Sequence, residues 1–199
     1  MPASSADALR QAALAHFATH GFEGASLHRI AETAGLSKSI VLYHFASKEA
    51  LLEAALRPAV DDLRDLVGLV QARSTWAPPS WAQPSRAQLL DAFVQFLFTH
   101  RLAAATLVYS GRAIPAVPIV AEADALIRRL ATSLAPAHAD DLDALRFGIA
   151  LAGATFALLS ADRWSTASMS EHDLRIAMTQ VLAGLVFGSE SAPTPEPVP

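Results

Sequence analysis

The chain has two lysines, Lys38 and Lys48, ten residues apart, and both fall in one stretch, FEGASLHRIAETAGLSKSIVLYHFASKEALLEAAL (22–56). A lysine ammonium is a compact charged donor suited to a phosphate oxygen. On a short helix over 38–45, Val41 and Phe45 are four apart and face inward. Lys38, Ser39, Leu42 and Tyr43 then face outward, with Ile40 beside them. Phe45 fills the inward position, which leaves Tyr43 and His44 presented. Ile40 and Leu42 cannot donate hydrogen bonds, but they can touch a thymine methyl. A helix whose N-terminal end is rich in donors can enter the major groove of DNA. Lys48 and the first amides of a helix capped by Ser47 can hold a phosphate. His28 either contacts a phosphate or sits in solvent. His16 and His20 read as solvated helix residues.

Other chemistries find little support. Asp61, Asp62 and Asp65 stand beside Arg64 and read as a solvated helix face. Asp140, Asp141 and Asp143 mark a predicted helix start, where acids favour the dipole. With His138 they form the one metal-like cluster, and capping is the better reading. There is no glycine-rich phosphate loop and no cysteine, so thiolate zinc sites, disulfides and cysteine nucleophiles are excluded. No enzyme activity, metal or cofactor is expected. Trp76, Trp81, Phe93, Phe96, Phe98, Tyr109, Phe147 and Phe156 each read singly as core or connector packing. Polar groups among the central helices are few: His100, Arg101, Thr106, Arg112, Arg146 and Thr155.

The elements that must position the 22–56 stretch are legible. Leu9, Ala13 and Phe17 recur every four residues and predict a helix over 6–20. Gly21 stands where a helix ends in a left-handed residue, and Phe22 packs back. Ser26 caps a helix over 27–34, with Ile30, Ala31 and Ala34 inside. Gly35 supplies a turn at positive φ. Ser37 caps the helix over 38–45, and Ser47 caps one running to about 72. Two short helices joined by a glycine-bearing turn make a helix-turn-helix. Pro58 cannot donate to the carbonyl of Ala54, so a kink or break is expected near 54–58. Residues 74–85 form a connector with three prolines. Helices are predicted at 86–110, 116–134, 140–161 and 171–187, and no segment reads as a strand.

The N-terminal part resembles the TetR family of bacterial transcriptional regulators. The likeness rests on Phe17–x3–Gly21–Phe22, Ser26, Ile30–Ala31, Ala34–Gly35–Leu36–Ser37–Lys38, Leu42–Tyr43–His44–Phe45 and Ser47–Lys48–Glu49–Ala50–Leu51–Leu52. It covers about fifty residues. By that resemblance, Ser26, Lys38, Ser39, Ile40, Tyr43, His44 and Lys48 occupy positions the family uses on DNA. The chain departs from the family's usual glycine and threonine at Ser39 and Ile40, and from its tyrosine pair at Leu42, so base preference is open. The resemblance also implies a cavity in the C-terminal part, with Trp76, Phe93, Phe96, His100, Tyr109, Phe147 and Phe156 as candidate lining. The few polar groups there point to a largely apolar small-molecule effector that releases a repressor from its operator. The alternative is a regulator of the same fold without such an effector, controlled by a protein partner.

Composition fits this organisation. The chain has 199 residues, 42 alanines, 9 glycines and 52% apolar residues, which favours an almost wholly helical protein. The net charge is −4, and the whole acidic excess lies after residue 57. The expected fold is all-α. Residues 1–50 form a DNA-binding helix-turn-helix domain, 51–188 a helical effector-binding and dimerisation domain, and 189–199 a disordered proline-rich tail. The segments 140–161 and 171–187 are apolar beyond one subunit's needs, with small residues that allow close approach. They predict a homodimer, and hence an inverted-repeat operator in double-stranded DNA. Leu151, Ala154, Leu158, Val181, Leu182 and Leu185 are its candidate contacts. The longest candidate charge-free apolar run, 147–161, is shorter than the roughly 18–20 residues a membrane span needs. No signal peptide is visible, and a cytoplasmic protein is expected.

Overall fold

The computed structural model describes residues 4–75, 86–110, 117–134, 141–160 and 169–187. Among them the regular elements are all helices: α1 (Ser5–Gly24), α2 (Leu27–Thr33), α3 (Lys38–His44), α4 (Lys48–Thr75), α5 (Arg86–Thr99), α6 (Arg101–Ser110), α7 (Pro118–Leu134), α8 (Asp141–Leu159) and α9 (Glu171–Phe187). None of them is long and apolar enough to cross a membrane. Residues 76–85 of the connector, with Trp76 and Trp81, the tail and His138 lie outside the described residues, and residues 74–75, expected in the connector, end α4.

α1 begins with a capping box in which Ser4 and Asp7 each satisfy the other's backbone amide. The Ser4 hydroxyl, first of several causes, holds the Asp7 carboxyl below its ordinary value. Leu9, Ala13 and Phe17 form the predicted stripe and are fully buried. Gly21 takes φ 70°, ψ 171°, a region open essentially to glycine alone. The backbone bends there and then continues helically to Gly24, beyond the predicted end. Phe22 folds back so that its ring stacks on Phe17 at 5.6 Å.

α4 joins the N-terminal unit to the rest. Leu51, Leu52, Leu56 and Val60 are fully buried along it, in one contiguous core that runs from Leu9 to Val186. The helix passes through Pro58 without a break, so the interruption expected at 54–58 is absent as a break. Burial of Ala55, Leu56, Ala59 and Val60 on either side outweighs one lost backbone bond. A second departure lies at 86–110, predicted as one helix but divided at His100 into α5 and α6. His100 Nε2 is hydrogen-bonded to Asp62 Oδ2 of α4 at 2.6 Å. A side-chain anchor on another helix fixes this corner, and no glycine or proline announces it.

The acidic face of α4 is also more than a solvated surface. Arg57 and Arg64, seven residues apart, both reach Glu122 of α7. They also pair within α4, with Glu53 at 2.9 Å and Asp61 at 2.7 Å respectively.

Candidate nucleic-acid interface

α3 is seven residues long and has one side to bury. Val41 is fully buried and Phe45 nearly so, which fixes the helix's rotation against α1 and α2. Lys38, Ser39, Leu42, Tyr43 and His44 are then exposed. Tyr43 stands out at 85% exposure and Leu42 at 50%. Ile40 is half-buried and packs against the core cluster, which leaves it less available than its neighbours.

The turn before α3 is set by Gly35 at φ 68°. The amide of Gly35 donates to Glu32 O, and that of Leu36 to Ala31 O, at 3.0 and 2.9 Å. Ser26 caps α2 by accepting from the Arg29 amide at 3.2 Å. Ser37 occupies the cap position of α3, but its hydroxyl makes no cap hydrogen bond. Ser47 accepts from the Ala50 amide at 3.1 Å, and its hydroxyl is the leading cause that lowers the Glu49 carboxyl.

The two lysines part company here. Lys38 is exposed at the first position of α3. Lys48 is half-buried, and its Nζ donates to Phe22 O at 2.8 Å and Ala25 O at 3.3 Å. Its ammonium lies 4.3 Å from the centre of the Phe22 ring. Lys48 therefore ties the start of α4 to the end of α1 and to the residue before the α2 cap.

The histidines are also engaged. His44 Nε2 and Ser5 Oγ lie 2.9 Å apart in a hydrogen bond, and the His44 ring meets Tyr43 edge-on at 5.2 Å. His28 pairs with Glu32 at 3.2 Å one helical turn on, both well exposed. His16 is not simply solvated. Its Nε2 is 2.7 Å from Thr33 Oγ1, and its ring stacks on His20. Burial, then the charges of His20 and Arg29, pull its pKa below the ordinary histidine value. Sequence reasoning missed Ser5 and Thr33 as partners, because both bonds join helices remote in sequence.

The candidate effector residues separate. Phe93, Phe96 and Phe147 line a cavity of about 20 Å³ in the helical core, closed also by Ala59, Leu63 and Ile127. That volume holds about one water molecule. Thr106 and Thr155 are buried, but their hydroxyls donate to Leu102 O and Leu151 O of their own helices. His100 is outside this cavity, and its ring lies tilted against Phe96 at 5.2 Å. Phe156 is 42% exposed on α8 and does not line the cavity. Trp76 and the side chain of Tyr109 lie outside the described residues.

The family described as "Bacterial regulatory proteins, tetR family" matches residues 9–55. The HTH-type transcriptional regulator RutR of Escherichia coli is 52% identical over 54 residues, 27% of this chain and 26% of that protein. The negative transcriptional regulator IcaR of the biofilm operon icaADBC in Staphylococcus aureus is 28% identical over 86 residues, 43% of this chain and 40% of that one. The matched region thus spans about a quarter to two fifths of the length of these relatives. Among solved structures, the fatty acid degradation regulator FadR of Bacillus halodurans has a TM-score of 0.57 at 15% identity, covering 96% of this chain and 100% of that one. FadR of Bacillus subtilis in complex with stearoyl-CoA has 0.54 at 14%, covering 91% and 97%. These structural likenesses speak for the fold alone.

Proposed function

We propose that this chain, whose residues 9–55 match the TetR family of bacterial regulatory proteins, is a homodimeric repressor of an inverted-repeat operator, released by a largely apolar small molecule. The observation that carries the DNA reading is the outward face of α3. Lys38, Ser39, Leu42 and Tyr43 stand clear of the core while Val41 and Phe45 anchor the helix beneath them. Lys38 meets a phosphate, and Leu42 offers an apolar contact to a thymine methyl. Tyr43 reaches a phosphate or a thymine methyl beside it. Ser26, Ser39, Ile40 and His44 complete the contact set, with His28 at its edge. Lys48 acts by holding α1 and α2 in place, and presents its charge near the backbone.

The dimer reading is supported by α8 and α9. Leu145, Ile149 and Phe156 on α8, and Ile176, Val181 and Leu185 on α9, are exposed. Of the contacts anticipated from sequence, Val181 and Leu185 belong to this face. Ala154 and Leu182 are buried within the chain, and Leu151 and Leu158 are half-buried. A second copy covering this face makes a four-helix arrangement about a twofold axis. The two recognition helices then meet half-sites about one helical turn, or slightly more, apart.

The effector reading is supported by the wholly apolar lining of the core cavity. At about 20 Å³ it must widen to admit a ligand, and widening moves α4 against its neighbours. One neighbour by fold, FadR of Bacillus subtilis, is solved in complex with stearoyl-CoA, whose acyl chain is apolar.

The test is operator binding by the full chain and by Tyr43→Ala. Selection from random duplex DNA should yield an inverted repeat. Tyr43→Ala should weaken binding at least tenfold with its fold intact, as expected for one base-edge or phosphate contact. Unchanged affinity would refute the assigned face.

A further inference from the structure

A groove of about 450 Å³ lies where the N-terminal unit meets the helical body. Its volume falls within the roughly 300–1,000 Å³ of small-molecule sites, whereas the core cavity holds about 20 Å³. Its walls come from three places: Gln11 and Leu14 of α1, Ala55 and Pro58 of α4, and the corner between α5 and α6. Leu14 and Ala55 are buried and make an apolar floor. Phe98 and Leu102 are half-buried and continue it.

The rim is polar and unspent. Arg10, Arg57 and Arg64 each have a carboxylate partner. Among the described residues Arg101 makes no ion pair, although it is exposed at the rim of the groove. Gln11, across the groove on α1, is also exposed, and among the described residues no hydrogen bond engages its amide. His100 gives Nε2 to Asp62, which fixes the corner and holds Arg101 beside the groove. A guanidinium and a carboxamide above an apolar floor recognise one chemistry, an anionic head on an apolar body.

We infer that this groove is a binding site for an amphipathic monocarboxylate, separate from the core cavity. The head is held by Arg101 with Gln11 as second donor, and the body lies on Leu14, Ala55, Pro58 and Phe98. A ligand there touches α1 of the N-terminal unit and α4 and α6 of the body at once. It therefore bridges the two parts beside α4, which runs from one to the other.

Octanoate and 1-octanol are the probes, titrated by calorimetry into the full chain without DNA, so that the result does not depend on the operator reading. Octanoate should bind. Arg101→Glu should weaken octanoate about tenfold or more, as loss of a charged hydrogen bond implies, and leave 1-octanol unchanged. Gln11→Trp, on an exposed position, should obstruct both. Photolabelling of the parent chain with a diazirine-bearing octanoate localises the site without any substitution. Labels within 11–14, 55–58 and 98–103 support the groove. Labels on the core cavity or elsewhere, equal octanoate affinity in Arg101→Glu, or no octanoate binding would each overturn it.

Discussion

In the N-terminal unit, the large apolar side chains left in solvent among the described residues are Leu42 and Tyr43, adjacent on α3. In α8, α9 and the residue pair before α9 there are nine, from Leu142 to Leu185. Both regions come from one alanine-rich chain, yet they leave different surfaces unfinished. The first presents two prominent side chains amid charge and hydroxyls, as a groove of mixed polarity requires. The second presents a broad apolar face that water disfavours and another protein surface satisfies. On the proposed function, these two surfaces are assigned to DNA and to a second copy of the chain respectively.

The sharpest way to break this comparison is to charge the apolar face. Ile149→Glu and Val181→Glu alter side chains that are 55% and 63% exposed in the single chain, so the fold should survive. Across a dimer axis they place unpaired carboxylates in an apolar contact. The dissociation constant should rise about a hundredfold or more. Light scattering at micromolar concentration reads the result, and a dimer unaffected by both changes would place the interface elsewhere.

The two lysines sharpen it next. Lys38→Ala should leave stability within about 0.5 kcal/mol and reduce the slope of log affinity against log salt by about 0.9. Lys48→Ala should lose stability as well as salt slope. It strips a charged donor from two carbonyls at the end of α1, which costs about 1–3 kcal/mol. Urea unfolding and salt-titrated operator binding separate the two. If both variants lose only salt slope, the tie to α1 carries no weight.

That contrast also marks what was legible in the sequence. Local features read directly. The caps at Ser26 and Ser47, the turn at Gly35 and the inward Val41 and Phe45 depend on neighbours a few residues away. Lys48 was assigned by its charge, but its partners Phe22 and Ala25 lie more than twenty positions back. The corner at His100 depends on Asp62, the clamp at Glu122 on Arg57 and Arg64, and the pairing of His44 on Ser5. None of these leaves a periodic trace. The aromatic candidates divided for the same reason. Phe93 and Phe147 face the core and Phe156 does not, which follows from helix rotation set by packing rather than by residue type.

Backbone strain offers a finer cut inside the N-terminal unit. Gly21→Ala should cost about 1–3 kcal/mol, because φ 70°, ψ 171° excludes a β-carbon. Gly35→Ala should cost less, about 1 kcal/mol. A β-carbon there meets nothing within 4 Å, so only the backbone term remains. Thermal unfolding of the two variants orders them, and equal losses would mean that Phe22 can reach Phe17 without the bend.

The smallest effect is expected at the seam between α4 and α7. The Arg64 guanidinium, followed by the weaker pull of Arg57, holds the Glu122 carboxyl below its ordinary 4.5. Glu122 in turn raises Arg64, with Asp61 adding to it. A carboxylate whose folded pKa lies below its unfolded value stabilises the fold above the unfolded value, and that contribution fades as pH falls through the folded one. The parent should therefore exceed Glu122→Gln in stability at pH 7, and the gap should narrow as pH falls below 4.5. The gap should be small and shrink further in molar salt, because the side chains of Glu122, Arg57 and Arg64 are 34%, 40% and 46% exposed and screened by solvent. Arg57 retains Glu53 and Arg64 retains Asp61 in the variant, which limits the loss again. Chemical unfolding of the two proteins at pH 7 and pH 3.5 measures it. A gap that persists undiminished at pH 3.5 would mean that the glutamine disturbs packing between α4 and α7, and that the charges contribute nothing there.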